Sequence, residues 1–172
     1  MTLLRLAVLL LPCLLPLSAA APARAAGACD ALTARLIRAT GASLAGREGS
    51  HAVFRAADAE RMSLDCARPR RMVFTALSRE PSRPFYVLIG LAAEALTGAG
   101  SEAVEALALA LHQEALLSGR PQRGVAGSAA LRCETAPDAD PFATPRTRCL
   151  LAPSTKPALR RRAGLSGSVR PG

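Results

Sequence analysis

The spacing of apolar residues after position 26 predicts a single helix. Leu32, Leu36 and Ile37 fall on one face of such a helix. Asp30 stands before them, and its carboxylate is suited to accept a hydrogen bond from an unpaired amide of the first turn. Gly41 follows them, and glycine readily adopts the left-handed conformation that ends a helix. We therefore expect a helix that Asp30 caps and Gly41 ends.

The next part of the chain has the period of strands. Residues 42–45 and 51–55 flank the turn-rich segment 46–50, which predicts a hairpin. Residues 61–66 alternate apolar and polar side chains, as a half-buried strand does. Residues 70–77 form a fourth candidate strand with a less regular alternation. We expect four strands here.

Two apolar helices follow, and then two further strands. Residues 85–96 have helical periodicity, and a second helix is predicted from a Ser101 cap to about residue 118, where Gly119 stops it. The predicted buried stripe of that second helix is Val104, Leu107, Leu111 and Ala115, widened by Leu109 and Leu116. Residues 130–134 and 147–151 are expected to be strands on either side of a proline-rich loop. The whole pattern predicts an α+β fold of order α-ββββ-αα-ββ, in which helices pack on one face of a small antiparallel sheet.

The N-terminal residues have the order of a secretory signal peptide. Arg5 precedes the apolar run 6–17, and a small-residue stretch ends at Ala25. The run is too short for a stable membrane anchor, which needs about 20 residues. We expect cleavage after Ala25, so that residues 1–25 are removed. The alternatives are an uncleaved anchor and attachment of a lipid at Cys29.

The cysteines support the same interpretation. Cleavage would leave Cys29, Cys66, Cys133 and Cys149, and four thiols in an oxidising compartment usually form two disulfides. Lipidation of Cys29 would leave an odd number. Three pairings are open, and we favour Cys29–Cys66 with Cys133–Cys149, which makes the domain disulfide-stapled. A zinc site is disfavoured because the thiols form no C-x-x-C pair.

The basicity of the chain lies mostly in its C-terminal tail. The formal net charge is +9, but residues 26–155 hold fifteen basic and thirteen acidic residues. Residues 156–172 hold five basic and no acidic residues, and their few apolar side chains predict a disordered tail after a single domain, 26–155. Within the tail, Arg160, Arg161 and Arg162 are candidates for contact with an anionic envelope surface. Nucleic acid is not an expected partner, because export removes it and aromatic residues make up only 3% of the chain.

Candidate catalytic chemistry is sparse. The only histidines are His51, at a predicted hairpin, and His112, in a predicted helix beside Glu114. Positions two apart on a helix do not face each other, so His112 and Glu114 make a poor dyad; we expect a surface residue at His51 and a partly exposed one at His112. Asp138 and Asp140 lie in a loop without the other ligands of a calcium site. The sequence therefore predicts no catalytic, cofactor-binding or metal-binding residue.

Together these features predict a small periplasmic or secreted protein, of the kind that bacteria export, with no membrane span in the mature chain. No cofactor is expected and the partner is open. The favoured function is a non-catalytic binding or cell-envelope accessory protein. The alternative is an extracytoplasmic hydrolase whose site is assembled from distant residues and uses His51 or His112.

Overall fold

The computed structural model of the protein describes residues 21–135 and 146–155. These residues form the elements α1 (Ala21–Thr40), β1 (Ser43–Glu48), β2 (His51–Ala56), β3 (Ala59–Asp65), β4 (Arg71–Ala76), α2 (Arg83–Thr97), α3 (Ser101–Ser118), β5 (Gln122–Ala126), β6 (Ala129–Thr135) and β7 (Thr147–Pro153). The strands form one seven-stranded antiparallel sheet in the order β1-β2-β3-β4-β7-β6-β5. The three helices pack against one face of it. The predicted α+β class, with helices on one face of an antiparallel sheet, is confirmed.

The core lies between that face and the helices. Buried residues alternate along β4, β6 and β7 and along β2 and β3 up to Phe54 and from Met62, where the register of those two strands shifts, as an antiparallel sheet with one covered face requires. The largest fully buried apolar side chains are Phe74, Phe85, Leu32, Leu36, Met62, Leu64, Met72, Ile89, Leu151 and Val104.

The sheet has one strand more than the sequence predicts. The extra strand, β5, pairs with β6 at an edge of the sheet. Its inward positions are Gln122, Gly124 and Ala126, and a Cβ on Gly124 would lie 2.7 Å from Leu107 Cδ1 of α3. Its one large apolar residue, Val125, is 47% exposed. Because small and polar residues occupy the covered side, β5 has no alternating apolar signal.

Helix α1 begins before the residue that was expected to cap it. Asp30 lies inside α1, so the prediction of an Asp30 cap is wrong; the alanine-rich residues before it have high helix propensity and extend the helix. Asp30 instead forms an ion pair with Arg47 of β1. The end of the helix is as predicted: Gly41 has a φ of 69°, and its amide donates a hydrogen bond to the Ile37 carbonyl.

The β1–β2 hairpin has a tighter turn than the sequence suggests. Residues 46–48, expected in the turn, belong to β1 and pair with residues 51–53. Only Gly49 and Ser50 connect the strands, and Gly49 has a φ of 55°, which favours glycine.

The caps of α3 differ from the prediction at one end only. Gly100, not Ser101, is the N-cap, and its carbonyl accepts the first-turn hydrogen bond from the Val104 amide at 3.2 Å. Ser101 is the first helical residue. At the other end, Gly119 has a φ of 64° and ends the helix as expected.

The buried stripe of α3 is rotated from the predicted one. Its buried residues are Val104, Ala108, Leu111, His112 and Ala115. Leu109 is 40% exposed and His112 only 3% exposed, so the expectations of a covered Leu109 and a partly exposed His112 are wrong. Alanine and leucine occur on almost every side of this helix, and its apolar period therefore does not single out the covered face.

Helices α2 and α3 approach each other closely at Gly90. A Cβ on this residue would lie 2.5 Å from the backbone oxygen of Ser101. Arg83 Nε also donates a hydrogen bond to Glu105 Oε1 at 2.9 Å and connects the two helices at their exposed side. Gly90 thus permits a contact that a side chain would obstruct.

The structure contains two disulfides, Cys29–Cys66 and Cys133–Cys149, the pairing favoured above. The first connects α1 to the residue that follows β3. The second joins the facing residues of β6 and β7, which lie directly opposite in the antiparallel register.

Several predicted features lie outside the described residues. These are residues 1–20 of the predicted leader, the loop carboxylates Asp138 and Asp140, and the tail 156–172 with Arg160, Arg161 and Arg162. Residues 21–25 belong to α1, so cleavage after Ala25 would leave this helix beginning at residue 26.

Candidate functional site

The face of the sheet that points away from the helices, which we call the open face, is not covered by any described element. Strand register arranges its side chains in three rows that run across the strands. The middle row is Val53, Ser63, Val73, Leu150, Arg132 and Arg123. The His51 row is His51, Asp65, Arg71, Ala152, Ala130 and Val125. The Arg55 row is Arg55, Arg61, Thr75, Arg148 and Glu134.

Positive charge is concentrated on this open face. Six arginines lie on it, against three carboxylates, Glu48, Asp65 and Glu134. Helices α2 and α3 have the opposite balance, one arginine and four glutamates. The nearly neutral domain is therefore divided into a basic open face and an acidic pair of helices.

Three of the six arginines have carboxylate partners. Arg71 Nη2 lies 3.3 Å from Asp65 Oδ2. Glu134 receives the other two, because its Oε2 lies 2.8 Å from Arg132 Nη2 and its Oε1 lies 3.2 Å from Arg148 Nη1. Each pair is at least partly exposed, so its contribution to stability is small, but it orients the guanidinium group.

The other three arginines form no ion pair with any residue in the described segments. Arg55 and Arg61 lie on the neighbouring strands β2 and β3, beside the irregularity where the register of these strands shifts between Phe54 and Ala56. Arg123 lies directly opposite Arg132 in the β5–β6 register. Like charges that face each other across a sheet are destabilising. An anionic partner would relieve this repulsion.

A shallow depression of about 180 Å³ marks the centre of the open face. Its walls and floor are formed by Arg71, Val73, Arg132, Glu134, Arg148 and Leu150. Guanidinium groups bind carboxylates and phosphates through paired N–H donors. Val73 and Leu150 place half-buried apolar surface between those donors. The depression is thus suited to a ligand that combines negative charge with aliphatic groups.

Asp65 is a fixed part of this surface. The Ala67 amide donates a hydrogen bond to Asp65 Oδ1 at 2.9 Å, and this bond is the main reason that the pKa of Asp65 lies below its ordinary value. Burial acts in the opposite direction, whereas the guanidinium group of Arg71 lowers the pKa further. Asp65 therefore remains ionised and holds Arg71 in place.

The two histidines lie on opposite sides of the sheet. His51 is at the open face with a side chain that is 66% exposed, as predicted for a surface residue, and its Nδ1 lies 3.9 Å from Asp65 Oδ1, beyond hydrogen-bonding distance. His112 lies under the helices, so the fold does not bring the two together. Neither histidine shares a hydrogen bond with a serine or threonine hydroxyl within the described part of the chain.

His112 belongs to the core. Its ring centroid lies 5.6 Å from that of Tyr86 in α2, and its Nδ1 is buried with no hydrogen-bond partner among residues 21–135 and 146–155. Burial lowers the pKa of His112; Glu80 opposes this change and Arg79 adds to it. Burial likewise raises the pKa of Tyr86. Both side chains are therefore neutral at pH 7 and act as packing residues.

The described segments contain no group of three or more histidine, cysteine, aspartate or glutamate side chains that could hold a metal ion. They also contain no helix that is both long and apolar enough to cross a membrane. Comparison of the chain with protein-family models, with curated proteins and with solved structures gives no match.

Sequence reasoning missed the open face as a site. The arginines of residues 26–155 are nearly balanced by acidic residues in number, and that balance conceals their separation in space. A signal was nevertheless present. Arg55, Arg61, Arg71 and Arg148 occupy the outward positions of strands whose inward positions are apolar, so alternation alone assigns all four to one face.

Proposed function

We propose that the protein is an exported, non-catalytic binding protein whose open face recognises an acidic partner. The observation that carries the proposal is the unequal charge of this face, with six arginines against three carboxylates. Arginine is the basic residue best suited to paired hydrogen bonds with carboxylates, and it is enriched in protein interfaces.

The disulfides support the extracytoplasmic part of the proposal. Two disulfides are consistent with an oxidising compartment, because cytoplasmic thiols are kept reduced. The predicted leader agrees with this location. The intact mass of the protein recovered from an expressing bacterium tests it: loss of residues 1–25, with alkylation of four thiols only after reduction, is the expected result. A full-length mass with free thiols would contradict export.

A charge-matched pair of variants tests the binding surface. The probe is sodium poly-L-glutamate, and binding is measured by calorimetry at low and at physiological salt. Arg55→Ser/Arg61→Ser removes two unpaired charges from the open face. Arg35→Ser/Arg38→Ser removes two exposed charges from α1, on the helix side. All proteins keep the basic tail, so its contribution cancels in the comparison.

We expect the open-face variant to bind roughly fivefold more weakly than the wild type, since each exposed charge pair contributes about 0.2–1 kcal/mol. The α1 variant should change affinity by less than about twofold. Equal losses in both variants would show that only net charge matters, and absence of wild-type binding at low salt would overturn the proposal.

A further inference from the structure

We infer that the partner of the open face is an acidic amphipathic helix, whose aliphatic side chains pack on Val53, Val73 and Leu150 and whose flanking carboxylates contact the arginines beside them. This inference rests on the proposed function and specifies the chemistry of its ligand. Such a partner needs an apolar strip as long as a helix and cationic groups on both sides of it. It also needs a surface on which a helix binds better than an extended chain.

The apolar strip lies in the middle row. Val53, Val73 and Leu150 are half-buried, and Ser63 between the two valines is small. The strip crosses β2, β3, β4 and β7, and strands lie about 4.8 Å apart, so its ends are roughly 14 Å from each other. About nine or ten residues of α-helix have that length. The strip is therefore long enough for nearly three helical turns.

Cationic groups flank the strip. Arg55, Arg61 and Arg148 lie in the row on one side, Arg71 lies in the row on the other side, and Arg132 continues the strip at its end. Each flanking row is two residues along the strand from the middle row, which is about 7 Å. A helix about 10 Å wide that lies on the strip would bring the residues beside its apolar stripe over these arginines.

The backbone chemistry favours a helix over an extended segment. An extended peptide adds to the edge of a sheet, where unpaired amides and carbonyls can bond to it. The strands of the open face are already paired with each other, and β1 and β5 alone form its edges. An extended segment on this face would leave its own backbone groups without partners against half-apolar surface. A helix satisfies these groups internally.

The ion pairs of the open face favour a polypeptide over a simple polyanion. Glu134 holds Arg132 and Arg148, and Asp65 holds Arg71, so half of the arginines are already oriented and partly neutralised. A surface that binds only by charge gains nothing from carboxylates or from half-buried valine and leucine. Mixed arginine and apolar surface is instead typical of the core of a protein interface.

Two synthetic peptides of equal charge test the inference. Each has eighteen residues, and both carry glutamates at the same positions of a helical sequence. The first has leucines along one face, and the second has glutamine at those leucine positions. We expect the leucine peptide to bind at least about tenfold more tightly, the change that burial of roughly 60 Å² of apolar surface produces.

Matched variants locate the contact. Val73→Thr/Leu150→Thr makes the strip less apolar and introduces only threonine, which is favoured in strands. This variant should lower the preference for the leucine peptide severalfold. Val125→Thr changes an exposed valine of the same face away from the strip and should leave that preference unchanged. Circular dichroism of each variant confirms that the fold is retained.

The outcomes separate this inference from the proposed function. Equal binding of both peptides would leave the open face a surface for acidic ligands and would overturn the helix inference. Binding of neither peptide would overturn both. Sedimentation analysis tests whether a second copy of the chain occupies the open face, because α3 itself carries glutamates beside the exposed Leu109 and Leu117. Self-association that Arg55→Ser/Arg61→Ser abolishes would show that a second copy occupies the face, and would support the inference with α3 as the acidic helix.

Discussion

Replacement of Gly90 by alanine tests how closely α2 and α3 approach each other. The added Cβ would lie 2.5 Å from the backbone oxygen of Ser101 and 3.2 Å from its carbonyl carbon. Nonbonded carbon atoms attract best at about 3.5–4.0 Å, so the new atom would overlap its neighbours. Both neighbours are backbone atoms, and no side-chain rotation relieves the overlap. The two helices would have to separate.

Two free-energy changes oppose each other in Gly90→Ala. Alanine is more favourable than glycine in a helix interior by about 1 kcal/mol. Extra volume in a packed interior costs about 1–3 kcal/mol, and the upper part of this range applies here because the backbone is obstructed. We expect a net loss of about 1–2 kcal/mol in the free energy of unfolding. For a domain of this size, the melting temperature should fall by roughly 4–8 °C.

Thermal unfolding followed by circular dichroism measures the effect, with urea titration as a second measurement. Gly27→Ala is the matched control, because Gly27 is also helical but is exposed and a Cβ there would meet no atom within 4 Å. This control should be as stable as the wild type or more stable. A Gly90→Ala protein that melts at or above the wild-type temperature would refute the close approach of α2 and α3.

Three further predictions concern other parts of the core. Cys133→Ala/Cys149→Ala opens a loop with a sequence separation of 16 and should lower the free energy of unfolding by about 3 kcal/mol in urea titration; an unchanged midpoint would contradict the disulfide. The pKa of His112 is lowered in the folded state, so protonation of this ring favours the unfolded chain. The contribution of His112 to the free energy of unfolding should therefore be present above pH 6.5, its ordinary pKa, and should be lost as the pH falls below that value. Calorimetry from pH 7 to pH 5 should show a smaller loss of stability in His112→Gln than in the wild type. Thr147→Val removes the hydrogen bond that Thr147 Oγ1 donates to the Arg79 carbonyl at 2.9 Å and should cost about 1–3 kcal/mol in the same titration, whereas no loss would show that this buried bond does not contribute.

The fold could be predicted from the sequence where the apolar pattern is regular. The clear alternation of residues 61–66 and the less regular one of residues 70–77 predicted β3 and β4, and the two apolar helices were predicted within a few residues of their ends. The pattern failed where small residues replace large ones. Strand β5 has glycine at the centre of its covered side, and α3 has alanine on several sides, so neither the strand nor the buried face of the helix could be read from the period.

The candidate site was harder to predict, because it depends on strand order. Arg61 and Arg148 are far apart in sequence, and only the insertion of β7 beside β4 brings their strands to the same part of the sheet. Alternation assigns each arginine to a face, but it does not reveal which strands are neighbours. Arg132 and Glu134 lie two residues apart on β6, so alternation alone places this ion pair on one face, whereas the Glu134–Arg148 pair depends on the β6–β7 register.

The two disulfides are consecutive along the chain and do not interleave, and this order has a consequence for how they form. A chain that leaves an export channel N-terminus first presents Cys29 and Cys66 to an oxidant before Cys133 has emerged. An oxidant that joins thiols in the order of their arrival therefore makes Cys29–Cys66 first and Cys133–Cys149 second. For a protein exported as proposed, the order of arrival would favour the correct partners, and neither bond has to be broken to make the other.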